Sequence, residues 1–489
     1  MNRRWAAILL LLVVGNGNTL AQVVGTPGPE PRLPPQSGMA APVSTAGFVP
    51  RSGDPFGGSV PRGAATAQEL ALSLRNAVAM GLKNNLGLLL SEQASRSAEG
   101  EWWKQRSALL PNLAAGTVET LQQINLQAFG FGGFPGLSTI VGPFGVFDTR
   151  VSVSQPLVDL SAWRRTSAAA AGSAAAHFTY QDAREMVVWA VSNLYFRARA
   201  GSGRVEAARR QLQTAEALFR QASDFKDAGV VPAIEVLRAQ VELEAEQQRL
   251  IYFENELEKQ ELDLARAIGV PVGQKIRLTE ELSEAPPPAI EITDALQQAY
   301  AARADYQSLQ QRVREAELEK RAAESERLPR LTARGDYGDI GRAPGVSHGT
   351  FSAAASLEFP LFQGGRIHGN ILEAGAALAG RQAELENLRA RIEYELRVAL
   401  LDLKAAQQQV EVARNGRELA TQQMEQSQDR FAAGVTSNIE VVQAQEALAT
   451  ANENFISSLY SFNIAKASLA RAMGAGEKNL PAAGQGESK

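Results

Sequence analysis

Few residues in this 489-residue chain could do covalent chemistry. It has no cysteine and only three histidines, His177, His348 and His368, which fall in unlike contexts. A catalytic thiol, thiolate metal sites, disulfides and an N-terminal lipid-modified cysteine are excluded, and the histidines have no metal-ligand spacing. No serine sits in a nucleophile elbow, and there is no phosphate loop. The stretch "GFGGFPG", with Gly130, Gly132 and Gly133, lacks the strand before and helix after that a nucleotide-binding turn requires. The chain reads as a non-enzyme with no cofactor and no metal. Its net charge of −4 gives no reason to expect nucleic acid, which meets a basic face.

What does recur is a carboxylate behind a turn. Glu235 follows Ala228-Gly229-Val230, and Glu440 follows Ala433-Gly434-Val435, each acid six residues after its glycine. The two sets lie 205 residues apart, and the same offset separates "LARAIG" at 264–269 from "LARAMG" at 469–474. Matches in one register point to a duplicated unit.

The elements that must position these turns are helices of unusual length. From about Leu160 to Gly229, and again from Gly365 to Gly434, no breaker interrupts the chain. About 70 helical residues span roughly 105 Å, a length that coiled coils and repeat bundles need and globular cores do not. Beyond each glycine a seven-residue seam follows. Val236, Leu243, Leu250, Leu257 and Leu264 match Val441, Leu448, Phe455, Phe462 and Leu469 at the repeat offset, which predicts side-by-side packing with left-handed supercoiling. The helices 232–268 and 294–326 are each about half the long length, so two end to end match one long rod.

Each copy reads as helix, strand, strand, very long helix, then shorter helix, mainly α with a small β part. The opening helices start near Leu70 and Thr293 and stop at Pro111 and Pro329. Candidate strands cover 112–127 and 331–339, each followed by a Gly-rich loop and a clear period-two segment. In 147–155, Phe147, Thr149, Val151 and Val153 share one face; in 351–359, Phe351, Ala353, Ala355, Leu357 and Phe359 do. About nine residues suffice for a tilted strand to cross a bilayer. Four strands cannot close a barrel whose smallest form has eight. Either the strands are soluble, or several chains pool them.

The remaining segments set the context. Arg3 and Arg4, the apolar run Trp5–Val14 and the exit Thr19-Leu20-Ala21 predict a signal peptide over 1–21. Residues 22–66, rich in Pro and Gly, read as a flexible lead-in. Repeat 1 covers 67–282, a Pro-rich linker 283–292, repeat 2 293–475, and a disordered tail 476–489.

Taken together, the duplication, "LPxL" before the strands, "QPL" and "FPL" after them, and the Gly-Val turns resemble the outer-membrane efflux family, the TolC-like exit ducts of Gram-negative envelopes. The resemblance implies a homotrimer whose pooled strands form a 12-stranded outer-membrane β-barrel, continued by a periplasmic α-helical barrel. It implies a passive duct, open outside and gated at the helical end. A periplasmic adaptor and an inner-membrane pump of RND, ABC or MFS type would serve it, with outer-membrane lipid around the strands. Ala228, Gly229, Val230, Ala433, Gly434 and Val435 become adaptor-docking hairpin tips. Glu440 takes the place of a constriction carboxylate, and Glu235 that of an acid in the closing contacts. Gln443 and Thr436 stand where the best-known member has an acid and an arginine, so the same gating bonds are not implied. Phe147, Val151, Val153, Phe351, Ala355, Leu357 and Phe359 become lipid-facing. The competing reading is a secreted periplasmic coiled-coil protein with no transport role.

Overall fold

The structure, a computed structural model of the chain, describes residues 55–130, 138–288 and 290–478. The expected signal peptide over 1–21, residues 22–54, the stretch 131–137 and residues 479–489 lie outside the described residues. The elements in chain order are β1 (Leu70–Leu72), α1 (Leu74–Asn84), α2 (Leu86–Ser107), β2 (Asn112–Asn125), β3 (Ile140–Val158), α3 (Leu160–Asp227), α4 (Ala233–Ile268), β4 (Ile276–Leu278), α5 (Ile292–Ala302), α6 (Ala304–Ser325), β5 (Arg330–Gly341), β6 (Ser347–Glu358), α7 (Arg366–Ala432) and α8 (Asn438–Ala472).

Both opening helices differ from the sequence reading. Copy one starts on β1, which pairs in parallel with β4, and Ser73 then caps α1 by accepting the N–H of Asn76 at 3.2 Å. The expected single helix is broken at Asn85, whose backbone is extended and whose side chain caps α2 by accepting the N–H of Gly87 at 3.0 Å. Asparagine competes with the helical backbone for such bonds, so it starts a helix better than it continues one. In copy two the expected 294–326 helix is likewise two, α5 and α6, separated at extended Arg303.

These breaks are joints between half-length rods. Gly269 ends α4 with φ +80°, and a Cβ there would lie 2.6 Å from Asn84. Asn84 Nδ2 donates to the Ile268 carbonyl at 3.0 Å. In copy two Gly474 has φ +69°, with the Arg303 backbone nitrogen 2.9 Å from where its Cβ would be. Arg303 Nη1 donates to the Ala472 carbonyl at 3.3 Å. Different residues, Asn84 and Arg303, do the same work in the two copies, and the repeated six-residue strings mark the glycines, 205 positions apart, that permit it.

The long helices are continuous: 68 residues in α3 and 67 in α7, about 100 Å each. Toward the sheet α3 lies between α2 and α6; toward the other end it lies between α4 and α8, and α7 flanks α6 and α8. The heptad seam is the packed face. Val441, Phe455, Phe462 and Leu469 are buried and Leu448 half-buried, while in copy one Leu264 is buried and the other four are half-buried.

The strands form one four-stranded sheet, β2-β3-β5-β6, antiparallel throughout. Three exceed the expected length, β3 with 19 residues and β5 and β6 with 12 each, while β2 ends at Asn125, two residues short of the expected 127. Glycine and proline at 142–145 hide the alternation that β3 continues. Phe359 falls just past the end of β6, so its assignment as a strand position is corrected; Pro360 follows it and supplies no N–H for a ladder.

Two more boundaries shift. Residues 55–66 of the lead-in are held at the first joint, with Val60 N–H donating to the Asn84 carbonyl at 2.9 Å and Arg62 N–H to that of Gly269 at 3.2 Å. The start of the tail is tied down as well, where Arg184 Nη2 meets Glu477 Oε1 at 2.6 Å.

Candidate functional site

At the end remote from the sheet, both long helices close by the same motif. Val230 N–H donates to the Phe225 carbonyl at 2.8 Å and Val435 N–H to that of Arg430 at 3.0 Å, while Gly229 and Gly434 adopt φ +73° and +69°. These six-to-one bonds with a left-handed glycine form the Schellman stop, which satisfies carbonyls a helix end would otherwise orphan. Val230 and Val435 are exposed at the apex of each turn. The hairpins touch through Phe225 and Phe431, whose rings are 5.8 Å apart, over a small core that includes Leu218, Met424 and Val441.

Glu235 and Glu440 each sit at the third position of a helix, where an acid favours the positive N-terminal end. Their surroundings differ. Glu235 is 8% exposed; Arg238 pairs with it at 2.7 Å, and Asn438 Nδ2 lies 3.5 Å from its backbone carbonyl. Its Oε2 has no hydrogen-bond partner among the described residues. Glu440 is half-exposed, accepts a hydrogen bond from the Thr436 hydroxyl and lies 3.5 Å from Arg430. Gln443 is exposed one turn further along α8. Asn438, two residues before Glu440, thus brings the two turns side by side.

Above the tips the two hairpins are joined by arginines. Arg249 on α4 holds Glu246 on its own helix at 2.9 Å and Glu446 on α8 at 3.1 Å. Glu246 is fully buried with Oε2 unpartnered. Burial, added to by Glu242 and Glu446 and opposed by Arg249, holds its carboxyl above the usual carboxylate range. Burial and Glu446 do the same to Glu242. Higher up, Arg204 of α3 donates from Nε and Nη2 to Glu453 of α8 at 2.9 Å each. The sequence reading passed over these residues, although a signal was there: three residues after Leu243, Glu246 occupies the second core position of the heptad, where a charge needs a partner.

The sheet carries the other candidate surface. Register places Leu113, Val153, Gly335 and Ala353 in one row and Ala115, Val151, Tyr337 and Phe351 in the next. Leu331–Leu357 and Ala333–Ala355 extend the same face. All the expected lipid-facing strand residues except Phe359 share it. The opposite face carries Asp148, Arg150, Asp336, Ser352 and the Arg330–Glu358 pair, with Arg150 bridging Asp148 and Asp336. Over the part of the sheet near the rods one face is therefore apolar and the other polar; further out the first face continues through the rows Thr117-Thr149-Asp339 and Glu119-Phe147-Gly341. Within the chain, β2 and β6 each have one unpaired edge.

The chain matches the outer membrane efflux protein family over residues 78–270 and 295–475. No curated protein matches it in sequence. Among solved structures it is similar to the Campylobacter jejuni CmeC outer membrane channel, with TM-score 0.71 and 18% identity over 88% of this chain and 94% of that one. The open state of the Neisseria gonorrhoeae MtrE outer membrane channel gives TM-score 0.71 and 17% identity over 88% and 98%. The Vibrio cholerae outer membrane protein VceC gives 0.70 and 16% over 82% and 96%. At such identities the likeness is one of fold.

Proposed function

This chain belongs to the outer membrane efflux protein family and is an outer-membrane efflux channel reaching into the periplasm; from that premise we propose that it works as a homotrimeric, passive exit duct. One observation carries the reading. A four-stranded sheet with an exposed apolar face ends in two open edges, and lipid does not tolerate an open edge. Three copies joined edge to edge give twelve strands, within the range of closed barrels. The helical wall makes the same demand, because its border rods α4 and α7 expose Val241, Ile251, Leu401 and Leu419.

In this duct the polar sheet face lines the pore. An inner-membrane pump supplies the energy, and an adaptor docks on the hairpin tips at Gly229-Val230 and Gly434-Val435. Glu440, half-exposed, presents its carboxylate to the lumen, where three copies favour cations over anions. Glu235, buried beside Arg238 and Asn438, belongs to the contacts that keep the tips together. No chemistry is done on the cargo.

The test is direct. Detergent extraction should give a particle of about three times the 52.4 kDa chain mass, conducting ions in planar bilayers, with Glu440→Gln lowering cation preference. A monomer that stays folded in aqueous buffer and conducts nothing would sink the proposal.

A further inference from the structure

Between β4 and α5 the chain forms a strap across the rods, and a cavity of about 600 Å³ lies between the strap and helices α3 and α8. Three rods hold the strap. Glu281 pairs with Arg199 of α3 and Glu284 with Arg414 of α7. Asn463 of α8 takes both backbone groups of Ser283, accepting its N–H at 3.3 Å and donating to its carbonyl at 3.0 Å. The apolar lining comes from Val188, Trp189 and Phe196 of α3 and from Pro287, Pro288 and Ile290 of the strap. A cavity of this size and lining falls in the range that encloses small organic ligands. Its floor is on α3 and α8, not on the border rods α4 and α7, so the site is complete within one chain.

Two cations of α8, Lys466 and Arg471, line the cavity and make no ion pair among the described residues. The Arg471 guanidinium lies over the Trp189 ring at 5.7 Å. Lys466 Nζ donates to the Ser283 hydroxyl at 3.2 Å and to the Ala285 carbonyl at 3.0 Å, and it lies 5.3 Å from the Phe462 ring. An ammonium has three donors, so one remains. Burial holds Lys466 below its ordinary value, where a close acid would have raised it. The acids of the lining do not answer it. Glu281 is taken by Arg199, and Glu280 makes no ion pair among the described residues. A half-buried ammonium among apolar walls gains from a carboxylate brought to it.

We propose that this cavity binds a small aryl carboxylate, its ring among Trp189, Phe196 and the strap prolines and its carboxylate on Lys466. A flat ring suits rigid walls, and a roof already tied down adds little ordering cost. The probe is naphthoate, titrated calorimetrically into the full-length protein in lipid nanodiscs, with empty nanodiscs as the blank. Detergent is avoided because its tails would compete for the cavity. Binding should saturate at one naphthoate per chain at pH 7. Naphthylmethanol, which keeps the ring and loses the charge, should bind at least about ten-fold more weakly. Lys466→Met should weaken naphthoate by a similar factor, and Lys466→Arg should keep its affinity. At about pH 10 a lysine of lowered value sheds its charge while an arginine does not. Naphthoate should then leave the unaltered protein and stay on Lys466→Arg, a difference that a damaged fold would not produce. No saturable heat above the blank overturns the site. Equal affinity for naphthoate and naphthylmethanol, or release from both proteins at high pH, overturns the role of Lys466.

Discussion

Arg249 in the first repeat lies 3.1 Å from Glu446 in the second, while its other nitrogen holds buried Glu246. The contact ties α4 to α8, which bear Glu235 and Glu440 near their starts. Arg249→Ala leaves Glu246 buried and unpaired, and should cost about 1–3 kcal/mol, below the range for a fully buried pair because Arg249 is partly exposed. Glu446→Ala removes only the exposed partner and should cost under about 1 kcal/mol. Chemical unfolding of the trimer orders the two variants; equal costs would mean that Glu246 is not the residue held.

The same seam predicts a pH dependence. Burial raises Glu246 and Glu242 above their ordinary value. A carboxyl raised in the folded state binds its proton more tightly there than in the unfolded chain. That advantage is complete below the ordinary value and is lost as pH rises through the raised one. Acidification from neutrality into that window should therefore stabilise the seam. Glu246→Gln, which mimics the protonated form, should be at least as stable as the unaltered protein at pH 7, with the difference shrinking toward pH 5. Thermal midpoints measured across this range check the sign.

At the tips, Gly229→Ala and Gly434→Ala should each cost about 1 kcal/mol, through positive φ alone. No atom lies within 4 Å of where either Cβ would be, so packing contributes nothing. Gly269→Ala should cost more, because its Cβ would also strike Asn84 at 2.6 Å. Comparing the three midpoints separates strain from collision.

On the sheet, Val153→Arg and Leu357→Arg should block membrane insertion, since arginine on the lipid face costs about 2–4 kcal/mol at mid-bilayer. Ser152→Arg, one residue away on the polar face, should insert normally. Fractionation of outer membranes shows the difference, and equal behaviour would mean that the apolar face does not meet lipid.

Much of this architecture was legible because it is written in periods. The heptads from Val236 and Val441 gave the packed face, and the alternation from Phe147 and Phe351 gave the sheet faces. The joints were not legible. Asn85 caps α2 locally but is fixed as a joint by its reach to the Ala267 carbonyl, Arg303 reaches the Ala472 carbonyl, and no local pattern records partners so distant in sequence. Glu235 and Glu440 look interchangeable in the repeat, yet one is buried and the other half-exposed. Burial depends on which rod lies alongside, and duplication does not copy the neighbour.

The two kinds of rod differ mechanically. Helices α3 and α7 cross the joint level with an unbroken backbone ladder, so they carry bending as well as thrust. The α1–α4 and α5–α8 columns are interrupted at Gly269 and Gly474, where side-chain bonds, apolar packing and, in copy one, the short β1–β4 ladder join the halves in place of a continuous helix. If the proposed duct opens at its tips, the lower half-rods can tilt about these interruptions while the unbroken α3 and α7 keep the sheet end in place.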